Sequence, residues 1–125
     1  MDDIKCIVHK QHFVYPDDTD FESVYIMSED GAGMIRLTPD MDDWHEIPND
    51  VLLSDFFVVE SKRCERIGTA LLHKAEEVYA GKNKTFWLKL NKHNPLSFLH
   101  DWYTRNGYTD DYEDDRFIYM TKHID

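Results

Sequence analysis

A chain of 125 residues fits one domain spanning 1–125, long enough to close its own core. Its 42% hydrophobic and 14% aromatic content excludes a disordered segment, and its apolar runs, such as Phe56-Phe57-Val58-Val59, are too short for a membrane-spanning helix. The net charge of −11 argues against nucleic acid as a partner and favours cations, polyamines or basic protein surfaces.

The start, Met1-Asp2-Asp3, has neither a basic nor an apolar leader region, so no secretory signal is expected. Two cysteines, Cys6 and Cys64, do not make a disulfide framework, and a reducing, cytoplasmic compartment is the simpler expectation.

Residues 4–14 are β-prone and predict a strand, broken by Pro16-Asp17-Asp18. Residues 22–28 and 33–38 flank Glu29-Asp30-Gly31, an acidic-glycine turn that predicts a hairpin. Residues 40–50 are polar with prolines at either side and predict a loop. The nearly continuous apolar run over 51–59 suits a central strand covered on both faces. The period then changes. Ile67, Ala70, Leu71, Ala75, Val78 and Tyr79 fall at helical spacing, and Gly81 supplies the stop. Residues 84–90 return to strand character. Asn94-Pro95 is a helix start, Leu96, Leu99, Trp102 and Tyr103 are its apolar positions, and Gly107 suits its C-terminal turn. Tyr108 leads into a last pair of strands, interrupted by the acidic residues 110–115 and closed by 117–120.

The β–α–β unit over 51–90 implies a parallel pair, and the hairpins imply antiparallel neighbours. The expected fold is therefore α/β (α+β mixed), with a mixed, mostly antiparallel sheet carrying helices on its faces.

The turn from the apolar strand into the first helix is the main candidate site. A helix N-terminus presents unpaired N–H groups and the positive end of its dipole, which suits an anion. Arg63 and Arg66 add charge there, and Thr69 adds a hydroxyl. An ordinary strand–turn–helix with basic surface residues would look the same by spacing alone. His9 and His12 lie on a predicted strand with poor spacing for a metal pair, so no metal is expected. Gly81-Lys82-Asn83-Lys84-Thr85 lacks the first glycine of a P-loop.

Residues 51–72 resemble the acyl-CoA signature of the GNAT (GCN5-related N-acetyltransferase) superfamily, an apolar strand followed by Arg/Gln-x-x-Gly-x-Gly/Ala and a helix. Arg63 stands at the first motif position and Gly68 at the last, with Ile67, Leu71 and Leu72 at apolar places. Arg66 departs from the glycine or alanine usual there. A second segment, Asn94 to Tyr108, is similar to the family's Asn…Tyr-x-x-x-Gly-Phe/Tyr stretch, with Tyr103 four residues before Gly107. Together the matches cover 51–122. The first 50 residues match poorly and show little sign of the two helices that in the family wall the acceptor site.

The resemblance implies transfer of acetyl from the co-substrate acetyl-CoA to an amine. It places the cofactor at Arg63, Cys64, Glu65, Arg66, Ile67, Gly68 and Thr69, with Asn94, and with main-chain groups of Val58 and Val59 along the pantetheine arm. Tyr103 is the candidate general acid. Asp55, which interrupts the apolar run, is a candidate base, with Glu60 or a water chain as alternatives. The acids Asp110, Asp111, Glu113, Asp114 and Asp115 would favour a cationic acceptor, a polyamine or protein lysine, if they border the acceptor mouth. The solution form would be a monomer or homodimer. The competing reading is a catalytically weak or inactive acidic module that binds a basic protein or mimics nucleic acid.

Overall fold

The computed structural model describes residues 4–14, 16–17, 20–39, 50–60, 66–93 and 97–125. In chain order the elements are β1 (Cys6–Val14), β2 (Asp20–Ser28), β3 (Gly33–Pro39), β4 (Asp50–Val58), α1 (Ile67–Val78), β5 (Lys84–Asn91), α2 (Ser97–Arg105), β6 (Thr109–Glu113) and β7 (Phe117–Ile124). They form one seven-stranded sheet in the order β1-β2-β3-β4-β5-β7-β6. Only β4 and β5 pair in parallel; every other pair is antiparallel. The mixed sheet expected from the hairpins and the β–α–β unit is therefore present. The predicted loop over 40–50 lies, but for Asp50, outside the described residues, as does the helix start at Asn94-Pro95.

The β2–β3 hairpin turns where Glu29-Asp30-Gly31 predicts it. The Asp30 carboxylate accepts from the Ser28 hydroxyl at 2.8 Å and the Ala32 N–H at 3.0 Å, and Gly31 takes φ 76°. Gly33 opens β3 because nothing larger fits. A Cβ there would lie 2.9 Å from Leu71 Cδ1 and 3.0 Å from the Phe57 carbonyl oxygen, so α1 approaches the β3–β4 seam closely.

α1 lies across β1 to β4. It buries Ile67, Leu71, Leu72 and Ala75 against Val24, Ile26, Ile35, Leu37, Val51 and Leu53. β5 and β7 extend the same core with Phe86, Leu88, Leu90 and Met120. Because strand side chains alternate, Trp87 and Lys89 point to the opposite face. There the Trp87 indole N–H donates to Asp50 Oδ2 at 2.8 Å. α2 ends in a Schellman turn. Tyr108 N–H bonds to Tyr103 O and Gly107 N–H to Thr104 O, with Gly107 at φ 95°.

Two expectations need correction. The acidic stretch does not interrupt the last strands: Asp110, Asp111 and Glu113 lie within β6, and only Asp114–Arg116 form the turn. β6 is an edge strand exposed along its whole length, so charged side chains stay in water. Nor is β4 covered on both faces throughout. Val51 and Leu53 are buried, but Asp55 and Phe57 are exposed.

Only five residues, 15–19, join β1 to β2. Among the described residues no helix precedes Ile67. The described part of the first half consists of the strands β1, β2 and β3.

Candidate functional site

β4 and β5 are paired only at Asp50–Thr85, Val51–Phe86 and Leu52–Trp87. Beyond those three pairs β4 follows β3, while β5 follows β7 through Leu88–Asn91. A gap therefore opens in mid-sheet, at the end of β4 that feeds α1.

A β-bulge accompanies the parting. Met34 faces Phe57 and Arg36 faces Ser54, so Ile35 alone faces both Asp55 and Phe56. Asp55 sits at φ 51°, in the left-handed region. The extra residue resets the alternation. Phe56 and Val58 turn inward against the core, and Phe57 turns out.

Beyond the bulge, Val59 N–H donates to Ala32 O at 2.7 Å, and Gly33 faces Val58. That pattern makes Gly33–Val58 a non-hydrogen-bonded pair, so the Val58 N–H and C=O point away from β3, toward the gap. The Val58 main chain thus faces the gap, whereas the Val59 N–H is engaged with Ala32.

α1 begins at the same end. Arg66 caps it at φ 63°, ψ 19°, and no side chain caps the helix. The Arg66 carbonyl accepts the first helical bond, from Ala70 N–H at 3.1 Å. Among the described residues none accepts from the N–H groups of Ile67, Gly68 or Thr69, and no acid lies in the first turn. Among the described residues these three donors stand without an acceptor at the positive end of the helix, beside Arg66, an arrangement that fits phosphate. The left-handed cap also explains why glycine suits this position. Arg63, Cys64, Glu65 and Asn94 lie outside the described residues.

Gly68, Val58, Phe56 and Trp102 converge. A Cβ on Gly68 would meet Phe56 Cζ at 3.7 Å and both Trp102 Cζ2 and Val58 Cγ2 at 3.8 Å. Alanine would fit there at ordinary van der Waals contact. Ile67 is 3% exposed and anchors α1 in the core, while Thr69 is half-buried in the first turn. Phe56 and Trp102 were missed as site residues because their apolar spacing marks only a buried strand and a helix face.

Tyr103 is 5% exposed and lies edge-on to Phe56, Trp102 and Tyr108, with ring centroids 6.4, 5.0 and 5.5 Å away. Its hydroxyl has no hydrogen-bond partner among the described residues. Burial pushes its phenol well above the usual value. Burial also raises Tyr108, whose hydroxyl donates to Glu76 Oε2 at 3.1 Å. A raised folded pKa means stability that is full below the unfolded pKa of about 10 and falls as the unfolded chain ionises above it. Each phenol should therefore remove about 1.4 kcal/mol of stability per pH unit above that point. Urea unfolding from pH 9 to 11 should show a shallower decline in Tyr108→Phe than in the parent, by about 1.4 kcal/mol in all across that range. Equal slopes would refute it.

Asp55 is not beside Tyr103 in any contact described. Its carboxylate lies 3.6 Å from Arg36 Nη1 and is 60% exposed. Glu60 is exposed just past β4.

On the sheet face opposite α1, a concavity of about 400 Å³ is lined by Lys89, Asp114, Asp115, Arg116, Phe117 and Tyr119. It lies beside the half of β5 that has left β4. Asp114 is held in its turn: the N–H groups of Arg116 and Phe117 keep its carboxyl below the usual range, and the Tyr119 hydroxyl donates to its second oxygen. Of the other acids, Asp110 pairs with His100 at 2.8 Å and Glu113 with Lys92 at 2.7 Å. Among the described residues no cluster of three or more His, Cys, Asp or Glu side chains could hold a metal ion.

Comparison with known proteins places this geometry. No curated protein matches the chain in sequence. The fold is similar to PaiA N-acetyltransferase of Thermoplasma acidophilum, solved with coenzyme A: TM-score 0.63 and 22% identity, covering 81% of this chain and 60% of that one. It is similar to a GNAT-family protein of Desulfovibrio desulfuricans with TM-score 0.66 and 14% identity, covering 95% of this chain and 100% of that one. An aminoglycoside 6′-N-acetyltransferase solved with coenzyme A gives TM-score 0.60 and 19% identity, covering 82% and 73%. The chain thus spans 60% of the Thermoplasma protein's length but all of the Desulfovibrio one. A sequence profile of the acetyltransferase (GNAT) family matches residues 5–108, and with the sheet parted at β4, the chain belongs to that family of acyl-CoA-dependent N-acetyltransferases, whose co-substrate is acetyl-CoA.

Proposed function

We propose that this chain transfers the acetyl group of acetyl-CoA directly to an amine. The observation that carries the reading is the parting of β4 from β5 beside the uncapped N-terminus of α1. The pyrophosphate would rest on the N–H groups of Ile67, Gly68 and Thr69 with Arg66 beside them. The pantetheine arm would run along Val58. The amine lone pair attacks the thioester carbon, the C–S bond breaks, and its electron pair goes to sulfur. The amine proton leaves to water, and Tyr103 donates a hydrogen bond to the departing thiolate.

The acceptor would enter from the face opposite α1, by the concavity at Lys89 and Phe117. A cationic acceptor, a polyamine or a protein lysine, is supported by the chain charge of −11 and by Asp111 and Asp115, which pair with no described residue. No described helix is long and apolar enough to cross a membrane, and the pair of cysteines supports a reducing cytoplasm. Isothermal titration with acetyl-CoA is the direct test, followed by thiol release with polyamines, lysine peptides and small neutral amines. Absence of binding heat at millimolar acetyl-CoA would sink the reading.

Arg66 offers a second check. Replacing it with glycine relieves the left-handed cap and should raise stability by about 0.5–1 kcal/mol. The same change removes a cation beside the phosphates and should weaken acetyl-CoA about threefold to tenfold at low salt, less at high salt. A variant that is more stable and binds as tightly would remove Arg66 from the phosphate site.

The acidic-module reading is favoured by one observation, the five-residue β1–β2 connection where the family's walling helices would be. It predicts acetyl-CoA binding without turnover on any amine class.

A further inference from the structure

We propose that the acceptor is a basic amino acid, a cationic amine that also carries a carboxylate, and that Lys89 and Arg116 hold that carboxylate in the concavity beside β5. The proposal rests on the acetyl-transfer reading and names its substrate class, and its test separates the two.

Few of the acids near the concavity are free. Asp110 is taken by His100 at 2.8 Å and Glu113 by Lys92 at 2.7 Å. Asp114 is committed to its own turn. One of its oxygens accepts from the N–H groups of Arg116 and Phe117, each at 2.8 Å, and the other accepts from the Tyr119 hydroxyl at 3.2 Å. Asp111 lies on β6, outside the lining of the concavity. Asp115 is left there with a carboxylate that no described residue engages.

Two cations share the same lining. The Lys89 ammonium lies 4.6 Å from the centroid of the Phe117 ring and makes no ion pair among the described residues. The Arg116 backbone is pinned on both sides, its N–H to Asp114 and its carbonyl to the Lys92 N–H at 2.7 Å. Its guanidinium is exposed and has no partner among the described residues. Two cations with donors free thus face one free carboxylate.

That imbalance chooses among cationic amines. The net charge of −11 draws any of them in from a distance. At close range a polyamine would bring like charge against Lys89 and Arg116 and leave both unanswered. A free basic amino acid answers all three groups. Its carboxylate takes the guanidinium fork and the ammonium, and its α-ammonium takes Asp115. Its methylene stem lies along the rings of Phe117 and Tyr119. A volume of about 400 Å³ suits so small a molecule, at the low end of the usual range of about 300–1,000 Å³. The side-chain amine then reaches toward the gap beside β5. In its neutral form it attacks the thioester carbon. The C–N bond forms, the C–S bond breaks with its electron pair going to sulfur, and the extra amine proton leaves to water.

Matched acceptors test this. Free lysine differs from cadaverine, and ornithine from putrescine, by one carboxylate. In the parent, kcat/KM should favour each amino acid over its diamine by at least about tenfold, read by thiol release from acetyl-CoA. Arg116→Gln keeps the pinned backbone and, like Lys89→Gln, should cut that ratio at least about fivefold. Arg116→Glu should invert it. A ratio near one in the parent would overturn the proposal, and so would a ratio that all three variants keep.

Binding gives a readout that needs no acetyl-CoA. The amide signals of Asp115, Arg116 and Phe117 should move with free lysine at concentrations where cadaverine leaves them in place. Equal response to both amines would overturn the proposal. A chain that takes lysine there but binds no acetyl-CoA loses the functional reading and keeps the carboxylate site. A chain that acetylates cadaverine as well as lysine keeps the functional reading and loses this one.

Discussion

Replacing Tyr103 with phenylalanine should lower kcat about 100-fold while leaving acetyl-CoA affinity within about twofold. The phenol lies among Phe56, Trp102 and Tyr108, in a dry aromatic setting that keeps it protonated at any working pH. Its pKa stands above that of a free thiol, about 8.5, so complete proton transfer to sulfur would run uphill. A hydrogen bond to the developing thiolate is what the side chain can supply, and in a site of low dielectric such a bond carries most weight where charge develops. Phenylalanine keeps all three ring contacts and removes a hydroxyl with no described partner, so the fold should be unharmed. Thiol release measures the turnover, and titration measures the binding. Unchanged turnover would withdraw the role from Tyr103.

Lys122→Met should reduce the free energy of unfolding by about 2–3 kcal/mol, read by urea denaturation. The Lys122 ammonium donates to Glu76 Oε1 at 2.9 Å and to the Asn106 carbonyl at 2.9 Å, and lies 5.6 Å from the Tyr108 ring centroid. Tyr108 donates to the other oxygen of the same carboxylate. One cation thus ties α1, the end of α2 and β7 together. The Glu76 side chain is 15% exposed and that of Lys122 29%, so solvent screens the pair in part and the loss falls below that of a fully buried one. Methionine keeps the length of the stem but leaves the carboxylate without its cation. Adding Glu76→Gln should restore part of the loss, because the orphaned charge goes with it. A loss below about 0.5 kcal/mol would mean that water replaces the ammonium at no cost.

The legible parts of the sequence are those where a local rule and the final packing agree. Ile67, Leu71 and Ala75 announce α1 because the face they share is the face that is buried. Gly107 announces the end of α2 because the Schellman turn needs its positive φ. The run over 51–59 conceals its most consequential feature. With apolar residues on both sides of the bulge, no break in period marks where the alternation resets. Asp55 does stand out there, but an acid in an apolar run suggests chemistry as readily as register, and its backbone angle and the Arg36 contact appear only in the folded chain. The acids of 110–115 suggest a loop because charge is rare in strands. β6 has no buried face, so nothing there opposes it. The departure from the family at Arg66 is plain in the sequence, but its strain is not, since φ is a property of the folded turn.

The sheet is two antiparallel ribbons laid side by side. One runs from β1 to β4 and the other from β5 through β7 to β6, and three parallel residue pairs stitch them together. The line from Asp50–Thr85 to Leu52–Trp87 is the fault line of the molecule: the described residues pair at three positions across it, fewer than across any other seam of the sheet. Spontaneous opening should begin there, with α1 and the buried Trp87–Asp50 bond as what holds the ribbons together.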